Sequence, residues 1–482
     1  MEHSENSYFG RERLGKLMLK FSVPCILSLL VASLYNLVDQ IFIGNGINYL
    51  ANGATNVVFP ITVIALAFAL LIGDGCAAFL SLCQGRGDKE GAHRSVANAI
   101  SATIIISIVI TVLFVFIKEP VLWAFGATQG NIGYARDYFD YILIGLPFYI
   151  FANAMNSVIR ADGSPAFALI TISVGCVMNI ILDPIAIFVL HWGVVGAALA
   201  TVAGQIVSAV LAVIYLFRTR TFKLKASSFR PQFKLLLKVC TLGISSFLTQ
   251  LSIVVIMACM NNTLIIYGAQ TEYGEDIPLT VLGIVMKVFQ IVIAFVVGIA
   301  AGAQPIIGYN YGAGNIDRVK KLYKIMFVAE AIIGVIAFIC FECFPVPIIK
   351  IFGSGDELYL KFAALAFRIY LGTIILCCIQ KATSIFLQAL GKPVLSMALS
   401  LLRDFVLSVP LVLLLPLGMG LDGALLSAPI ADAVSFVVGM VIIWFTLFSR
   451  RSAVRAAETC PEEGDAVCCA EDGSSQEESA EK

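Results

Sequence analysis

Twelve long apolar runs constrain this chain more than any other feature. The 482-residue sequence is 59% hydrophobic and 13% charged, about half the charge of a typical soluble domain. A helix needs about 20 apolar residues to cross the hydrocarbon core of a bilayer, where lipid cannot pair with the backbone. We therefore predict an all-α polytopic membrane protein. Its spans fall near residues 17–44, 54–83, 95–117, 134–157, 166–190, 195–217, 238–266, 279–308, 320–344, 358–386, 394–416 and 422–447.

The distribution of Lys and Arg predicts how these spans are oriented. Basic residues cluster before the first span, after the second and fourth, between the sixth and seventh, and after the eighth, tenth and twelfth. Because cytoplasmic loops carry the excess of Lys and Arg, both termini are predicted to be cytoplasmic. The expected location is the inner or plasma membrane. The net charge is zero, so nucleic acid is not expected as a partner.

Three short motifs recur at an offset of about 227 residues, which indicates two repeated halves. Six spans per half is an even number, so the halves have the same orientation. They are parallel repeats about an axis along the membrane normal, an architecture of secondary transporters. The recurring pairs are GVVGAAL (193–199) with GLDGALL (420–426), DGSPAFAL (162–169) with LGKPVLSM (390–397), and GRGDKE (85–90) with GAGNID (312–317).

This repeat predicts the domain organisation. An N-lobe and a C-lobe of six spans each are joined by a basic cytoplasmic linker. A cytoplasmic segment precedes them, and a cytoplasmic tail follows. The tail is acidic, Ser-rich and poor in large apolar residues, so it is expected to be largely disordered. The predicted bounds are 1–16, 17–217, 218–237, 238–447 and 448–482.

Asp39 is the least expected residue of the first span, because it stands within the apolar stretch LYNLVDQIFIGNG (34–46). A charge at membrane depth costs roughly 2.5–3.5 kcal/mol on insertion scales. One interpretation is that Asp39 is a polar cap among the outer headgroups. We favour a functional carboxylate inside the membrane, since Ile41, Phe42 and Ile43 continue the apolar run beyond it.

Two more polar residues of the N-terminal half fall at a similar depth. Asp183 lies about two turns below the outer turn after the fifth span, and Thr201 lies about one and a half turns down the sixth. Asn179 precedes Asp183 by four residues, and Ala197 precedes Thr201 by four, so each pair shares a helix face. Pro184 frees a backbone carbonyl one turn back, which is another potential oxygen ligand.

The C-terminal half offers no equivalent of this cluster. Met257 stands near the position that corresponds to Asp39, and Ala428 stands where Thr201 does. The segment that matches 179–184 carries only Ser408 as a polar residue. The repeat therefore supplies the scaffold twice and the cluster once, an asymmetry that packing alone does not explain.

Together these features resemble the multidrug and toxic compound extrusion (MATE) transporters. The resemblance rests on the two six-span halves and on LYNLVDQIFIG, NIILDP (179–184), GAALAT (196–201) and the GKP after the tenth span, and it covers about residues 15–450. It implies a V-shaped two-lobe bundle and an N-lobe cation site formed by Asp39, Asn179, Asp183, Ala197 and Thr201. The seventh and tenth spans lack the acids that form a C-lobe site in other branches.

Several further polar residues are candidates for a cavity or a proton relay. For Asp74, cavity lining and a structural hydrogen bond are equally good interpretations. Asn153 and Asn156 fit ordinary helix contacts as well as a proton path. The candidates are Tyr35, Asn36, Asp74, Asn153 and Asn156. For most of the charged residues buried in the C-terminal half, structural ion pairing is expected: Lys287, Glu330, Arg403, Asp404 and Asp432.

The resemblance to MATE transporters and the residue patterns described above together predict a secondary active antiporter and not an enzyme. It would export amphipathic, often cationic compounds in exchange for H⁺ or Na⁺ by alternating access, as a monomer without cofactors. Na⁺ would bind at Asp39, Asn179, Asp183 and Thr201. One alternative is a flippase of lipid-linked oligosaccharide precursors, which should line its cleft with several Lys and Arg. Another is a non-transporting membrane enzyme or receptor, which should carry a catalytic constellation or a large loop.

Single-cysteine labelling tests the predicted orientation. A cysteine at Ser227 in a cysteine-free background should react with a membrane-impermeant maleimide only after the cells are permeabilised, because the basic linker is predicted to be cytoplasmic. A cysteine in the Arg-free and Lys-free loop at residue 48 should react in intact cells. Ready labelling of position 227 in intact cells would reverse the topology.

Overall fold

A computed structural model describes residues 7–47, 49–125, 127, 129–222, 232–274, 276–352 and 357–448. Regular structure in these residues is helical. The elements are α1 (Ser7–Arg11), α2 (Leu14–Gly46), α3 (Tyr49–Arg86), α4 (Lys89–Ala124), α5 (Ile132–Ala161), α6 (Pro165–Pro184), α7 (Gly193–Leu216), α8 (Phe233–Gly268), α9 (Asp276–Gly312), α10 (Ile316–Cys343), α11 (Pro345–Phe352), α12 (Glu357–Tyr370), α13 (Ile374–Ala389), α14 (Pro393–Leu401) and α15 (Val409–Ile443). Wider π-helical turns follow α6, α14 and α15 at Ile185–Val189, Leu402–Ser408 and Trp444–Phe448.

The number of membrane crossings agrees with the twelve predicted runs. Ten described helical stretches are long and apolar enough to span, and α12 with α13, bent by 47°, supplies an eleventh. One of the ten, Pro393–Phe448, has 56 residues, enough for two passes. The chain reverses within it, because a Cβ on Gly423 would lie only 2.6 Å from the Leu415 carbonyl oxygen. A continuous helix cannot make that contact across eight residues.

Turn glycines confirm the repeat. Three glycines of the first half have positive φ angles, and each has a counterpart about 227 residues later with a similar angle. Such angles favour glycine because they strain residues that carry a Cβ. The pairs are Gly87 (76°) with Gly314 (75°), Gly163 (85°) with Gly391 (70°), and Gly193 (59°) with Gly420 (60°). The two halves therefore share their loops as well as their helices.

The described residues fall into two units, one ending at Gly439 and one beginning at Met440. The second unit, described up to Phe448, contains the end of α15 and a π-helical turn in which the rings of Trp444 and Phe448 stack, with centroids 6.3 Å apart. The predicted disordered tail lies outside the described residues from position 449 onward, as do parts of the predicted N-terminal segment and linker. Those domain bounds stay predictions.

The two lobes, α2–α7 and residues 233–439, meet mainly along two helix pairs that we call the seam, and α3 also contacts α9. In the first pair α2 contacts α9, and in the second α3 contacts α8. Glycines bring the backbones together: a Cβ on Gly298 would lie 2.7 Å from Ile26 Cα, and one on Gly302 would lie 2.6 Å from Ser22 Cα. In the second pair, Gly75 adjoins the Val239 carbonyl and Gly243 the Leu71 carbonyl.

The seam lies toward one end of the bundle, which we call the basic end because it carries Arg86, Arg160, Lys238 and Arg318. Arg318 reinforces the contact there. Its Nη2 donates to the carbonyls of Phe9 (3.2 Å) and Glu12 (2.8 Å), and its Nε donates to Asn310 Oδ1 at 3.0 Å. The segment before α2 is thereby fixed to the C-lobe.

Adding one methyl group tests the seam. In Gly243→Ala the new Cβ would overlap the Leu71 carbonyl, so the lobes must separate near the basic end. Overpacking of this kind costs about 1–3 kcal/mol, which shifts a two-state equilibrium by roughly 5-fold to 150-fold. Spin labels at exposed Lys89 and Lys321 should then report a longer distance by double electron–electron resonance.

The control for this measurement is Gly283→Ala, because nothing lies within 4 Å of a Cβ at that position. The control should leave the distance distribution unchanged. An unchanged distribution in a folded Gly243→Ala variant would show that the seam does not hold the lobes together.

Candidate functional site

Asp39 and Asp183 form a buried acid pair inside the N-lobe. Asp39 is 8% exposed and Asp183 is fully buried. Their carboxyl groups lie within hydrogen-bonding reach of each other. Asp39 lies seven residues, about two turns, before the end of α2, and Ile43 beyond it is fully buried. Asp39 is therefore enclosed by protein, which contradicts the interpretation of a polar cap among headgroups.

Asn179 connects the acid pair to α7. Its Nδ2 donates to Thr201 Oγ1 at 3.1 Å and to Asp183 Oδ1 at 3.3 Å. Asn179 and Thr201 are 2% and 9% exposed, and Ala197, one turn before Thr201, is fully buried. Asn179 and Asp183 of α6 thus face Ala197 and Thr201 of α7. Asp39 of α2 lies beside them.

Two glycines allow α6 and α7 to approach this closely. A Cβ on Gly204 would lie 2.5 Å from the Gly175 carbonyl oxygen, and one on Gly175 would overlap Ser208 Oγ. Small residues at such crossings are typical of membrane helices, where close backbone packing drives association. Asn179 lies one turn beyond Gly175 and Thr201 three residues before Gly204, so this crossing sets the distance between their side chains.

The helix geometry changes directly after Asp183. Pro184 cannot donate a backbone hydrogen bond, and the five residues Ile185–Val189 form a wider π-helical turn. This turn packs on the end of α2: a Cβ on Gly46 would lie 2.5 Å from Ile187 Cγ2, and the rings of Phe42 and Phe188 meet edge to face with centroids 6.4 Å apart. Such π-helical turns often occur at functional sites. Here it encloses the acid pair on the side away from the basic end.

Tyr138 of α5 belongs to this cluster, and the sequence analysis missed it. Its side chain hydrogen-bonds Thr201 and lies close to both Asp39 and Asp183. It is 7% exposed. Tyr35, a relay candidate on α2, lies near Asp39, Tyr138 and Tyr149. No sequence pattern distinguishes Tyr138 from the neighbouring tyrosines of α5, because its role depends on how α5 packs against α7.

Three buried oxygen atoms of the cluster have no hydrogen-bond partner. They are Asp39 Oδ1, Asn179 Oδ1 and Asp183 Oδ2. Buried polar atoms are almost always paired, so three acceptors without a donor at one place indicate room for a positively charged ligand. Carboxylate, amide and hydroxyl oxygens suit a hard cation. The same set can also hold a proton shared between the two carboxyl groups, and the residues therefore fit either ion.

Asp74 does not belong to this cluster but bridges the lobes. Its Oδ1 accepts from Ser157 of the N-lobe at 2.7 Å, and its Oδ2 accepts from Ser246 of the C-lobe at 2.8 Å. Arg160 lies 3.6 Å from Oδ1, and Ser246 also hydrogen-bonds Gln388. These contacts agree with the interpretation of Asp74 as a structural hydrogen-bonding residue. We call Asp74, Ser157 and Ser246 the latch.

The other relay candidates lie apart from the acid pair. Asn36 is exposed and donates to the Ala32 carbonyl of its own helix, and Asn153 likewise donates to Tyr149. Asn156 donates to the Ala168 carbonyl at 2.8 Å and accepts from Arg160 at 2.7 Å. Among these bonds, only the one from Asn156 to Ala168 joins two helices, and within the described residues none of the three asparagines hydrogen-bonds Asp39 or Asp183.

Ion pairs are expected for most of the five C-lobe charges, and three of the five form them. Arg403 donates to Asp432 (2.8 Å) and to Asp404 (2.7 Å), and Lys381 lies 3.4 Å from Asp404. Glu330 is fully buried, and neither of its oxygens has a partner. Lys287 is exposed and forms no ion pair in the described part of the chain.

Comparisons with known proteins agree with this fold. The chain is 25% identical over 458 residues to the multidrug export protein MepA of Staphylococcus haemolyticus, covering 95% of this chain and 99% of that one. It is 22% identical over 445 residues to MepA of Staphylococcus aureus strain N315, covering 92% and 96%.

Solved structures share the architecture. A transporter of the MOP superfamily from Pyrococcus furiosus superposes with a TM-score of 0.85 at 23% identity, covering 92% of this chain and 99% of that one. A MATE protein in complex with MaL6 superposes with a TM-score of 0.85 at 23% identity, covering 94% and 100%. The model of the MatE family matches residues 24–185 and 244–414, most of the chain. The protein therefore belongs to the MATE family of multidrug export transporters.

Proposed function

We propose that this protein is a secondary active antiporter, which exports amphipathic, often cationic compounds in exchange for H⁺ or Na⁺. The observation that carries the proposal is the buried acid pair Asp39–Asp183, with its three oxygen atoms that lack partners. The relatives named multidrug export proteins support the class of substrate. The expected location is the plasma or inner membrane, and the expected state is a monomer.

The acid pair suits a coupling ion because no side chain neutralises it. Neither carboxylate forms an ion pair with a Lys or Arg of the described residues. Two ionised carboxylates in contact, away from water, repel each other and lose their solvation. A proton shared between them or a bound Na⁺ removes that cost. The site should therefore bind one cation strongly whenever a path to water is open.

Helix α2 can transmit cation binding to the lobes. Its Asp39 faces α6 and α7, while its Ser22 and Ile26 contact α9 of the C-lobe. A change in the position of α2 relative to α6 therefore also changes the seam. Coupling further requires that the cation bind the two lobe arrangements unequally.

The orientation from the positive-inside rule gives the direction of transport. If the basic end is cytoplasmic, the seam closes the cytoplasmic side in the arrangement described, and the latch lies across that closed side. Uptake of a compound from the cytoplasm then requires Asp74 to release Ser246 and the glycine contacts to part. Cation entry from outside would favour the arrangement that releases the compound.

Neutral variants of the acid pair test this proposal. Asp39→Asn and Asp183→Asn should each insert and fold but abolish efflux driven by an ion gradient, because the amide can neither carry a proton nor balance a cation. The measurement is dye efflux in everted vesicles with an imposed H⁺ or Na⁺ gradient. Asp137→Asn, which removes an exposed carboxylate of α5 and keeps the acid pair and the latch, is the matched control. Efflux at a near wild-type rate by the Asp39→Asn/Asp183→Asn variant would refute the coupling role.

The neutral ligands should matter less. Thr201→Ala removes an uncharged oxygen ligand, and Tyr138→Phe removes one hydroxyl, so each should weaken coupling by roughly the 0.5–1.5 kcal/mol of one hydrogen bond, up to about tenfold in the cation concentration needed. Titrating efflux rate against pH or Na⁺ concentration in the same vesicles measures this shift. Complete loss of efflux in a folded Thr201→Ala variant would mean that the hydroxyl has a larger role than that of a ligand.

A further inference from the structure

Lys287 is an exposed lysine within a membrane-spanning helix. It lies eleven residues, about 16 Å, beyond the start of α9 at Asp276. A lysine that only anchors a helix among headgroups is expected in the last turn, where its side chain reaches the interface. In the described part of the chain its ammonium group makes no hydrogen bond or ion pair. Exposure of this kind requires either water or a ligand beside it.

The helix face on which Lys287 lies is the face that forms the seam. Eleven residues advance a helix by about three turns, so Lys287 lies almost directly above Gly298, which adjoins Ile26. Thr280 continues the same face, five turns from Gly298. Gly298 is buried, whereas Lys287 and Thr280 are exposed. The lobes therefore part along this face between Gly298 and Lys287, and we call the opening beyond the seam the cleft.

The register between α2 and α9 gives the level of Lys287 in the cleft. Ser22 adjoins Gly302 and Ile26 adjoins Gly298. The two helices are therefore antiparallel, and moving forward by a number of residues along α2 matches moving back by the same number along α9. Eleven residues onward, Lys287 is level with position 37 of α2, within a turn of Asp39. Asp39 itself lies thirteen residues from Ile26, which turns it close to the opposite face of α2. Lys287 and the acid pair thus share a depth but face different compartments of the protein.

The remaining side chains along this cleft are neutral. On the N-lobe side, Gln40 and Asn56 are hydrogen-bonded to each other at 3.4 Å. On the C-lobe side, Gln250 and Asn261 lie two and five turns from Gly243 on the seam face of α8. These are amide groups, which can donate to an anion without carrying charge.

The charges of the four seam helices are unequally distributed. Their acids are Asp39 in the acid pair, Asp74 in the latch and Asp276 at the first position of α9. Apart from Lys287, their basic residues lie within about two turns of the basic end: Lys16, Lys20, Arg86, Lys234 and Lys238. Asp276 lies on the same face of α9 as Lys287 but about three turns further along, at the start of the helix. Between the seam and that first turn, Lys287 is the one charged residue of these helices on the cleft face, and its charge is positive.

We propose that Lys287 binds the acidic group of the transported compound, so that the substrates include amphipathic carboxylates, sulfonates or phosphates. This inference rests on the proposed transport function and names a substrate class for it. An ammonium group at membrane depth is costly unless an opposite charge accompanies it. A bound anion supplies that charge, and the amide groups can hydrogen-bond it. The apolar part of the compound would lie against the aliphatic residues of the same helices.

The source of the acidic group is either a soluble organic acid or a lipid headgroup, since both present the same chemistry to an ammonium group. The lipid case corresponds to the flippase alternative. A pyrophosphate headgroup would call for several basic residues, and the seam helices present one along the cleft. Both sources are therefore tested.

Transport of matched dyes tests the proposal. The full chain in proteoliposomes with an imposed gradient is assayed separately with three probes. They are anilinonaphthalene sulfonate, ethidium as a cation of similar size, and a fluorescent phosphatidic acid analogue. Lys287→Gln should raise the KM for at least one anionic probe tenfold or more and leave ethidium transport unchanged or faster. Lys287→Arg should restore the anionic KM, because it keeps the charge. Lys361→Gln, which removes an exposed lysine paired with Glu272, is the matched control.

The two anionic probes separate the sources of the acid. A KM change confined to the sulfonate supports soluble acids, and one confined to the lipid analogue supports a headgroup. The inference would be overturned if wild-type protein transported neither anion, or if Lys287→Gln left the KM for both anions unchanged. In either case, gradient-driven efflux of ethidium would still support the proposed antiport. If wild-type protein transported none of the three probes in response to the gradient, the proposed function itself would be contradicted.

Discussion

The proposed coupling depends on one constraint, which is that a bilayer cannot solvate two carboxylates in contact. Asp39 and Asp183 lie together in the N-lobe without a Lys or Arg partner among the described residues, and three oxygens of their cluster lack donors. In the C-lobe the acids Asp404 and Asp432 are neutralised from within by Arg403. The N-lobe therefore leaves its two acids open to a cation from outside the protein, whereas the C-lobe pairs its two acids with an internal one.

The second requirement is that occupancy of the acid pair alter the contact between the lobes. Helix α2 meets this requirement because it contributes to both regions, with Asp39 toward α6 and with Ser22 and Ile26 against α9. Glycine contacts make the seam sensitive to small movements, since packed backbones have no flexible side chains between them to absorb a displacement. The latch adds hydrogen bonds from both lobes to one carboxylate, Asp74, so these bonds are lost together when the lobes part.

Much of this architecture could be predicted from the sequence, for identifiable reasons. The length of each apolar run predicts a membrane-spanning helix, and motifs that recur about 227 residues apart predict the repeat. A spacing of four residues predicts that Asn179 and Asp183 share one helix face. Features that depend on which helices become neighbours could not be predicted. Tyr138 joins the acid pair only because α5 packs on α7, and Asp74 bridges the lobes only because α3 meets α8. The surroundings of Glu330 also depend on packing, and there both of its oxygens are left without a partner.

Cation release on substrate binding tests the central claim most directly. Purified protein in weakly buffered detergent solution, loaded with H⁺ or Na⁺, would be titrated with a transported dye while a pH indicator or a Na⁺ electrode reports released ions. Because coupling between two ligands is reciprocal, wild-type protein should release about one cation per chain as the dye binds. Asp39→Asn/Asp183→Asn should bind the dye and release none. Equal release from that variant would show that the coupling ion binds elsewhere.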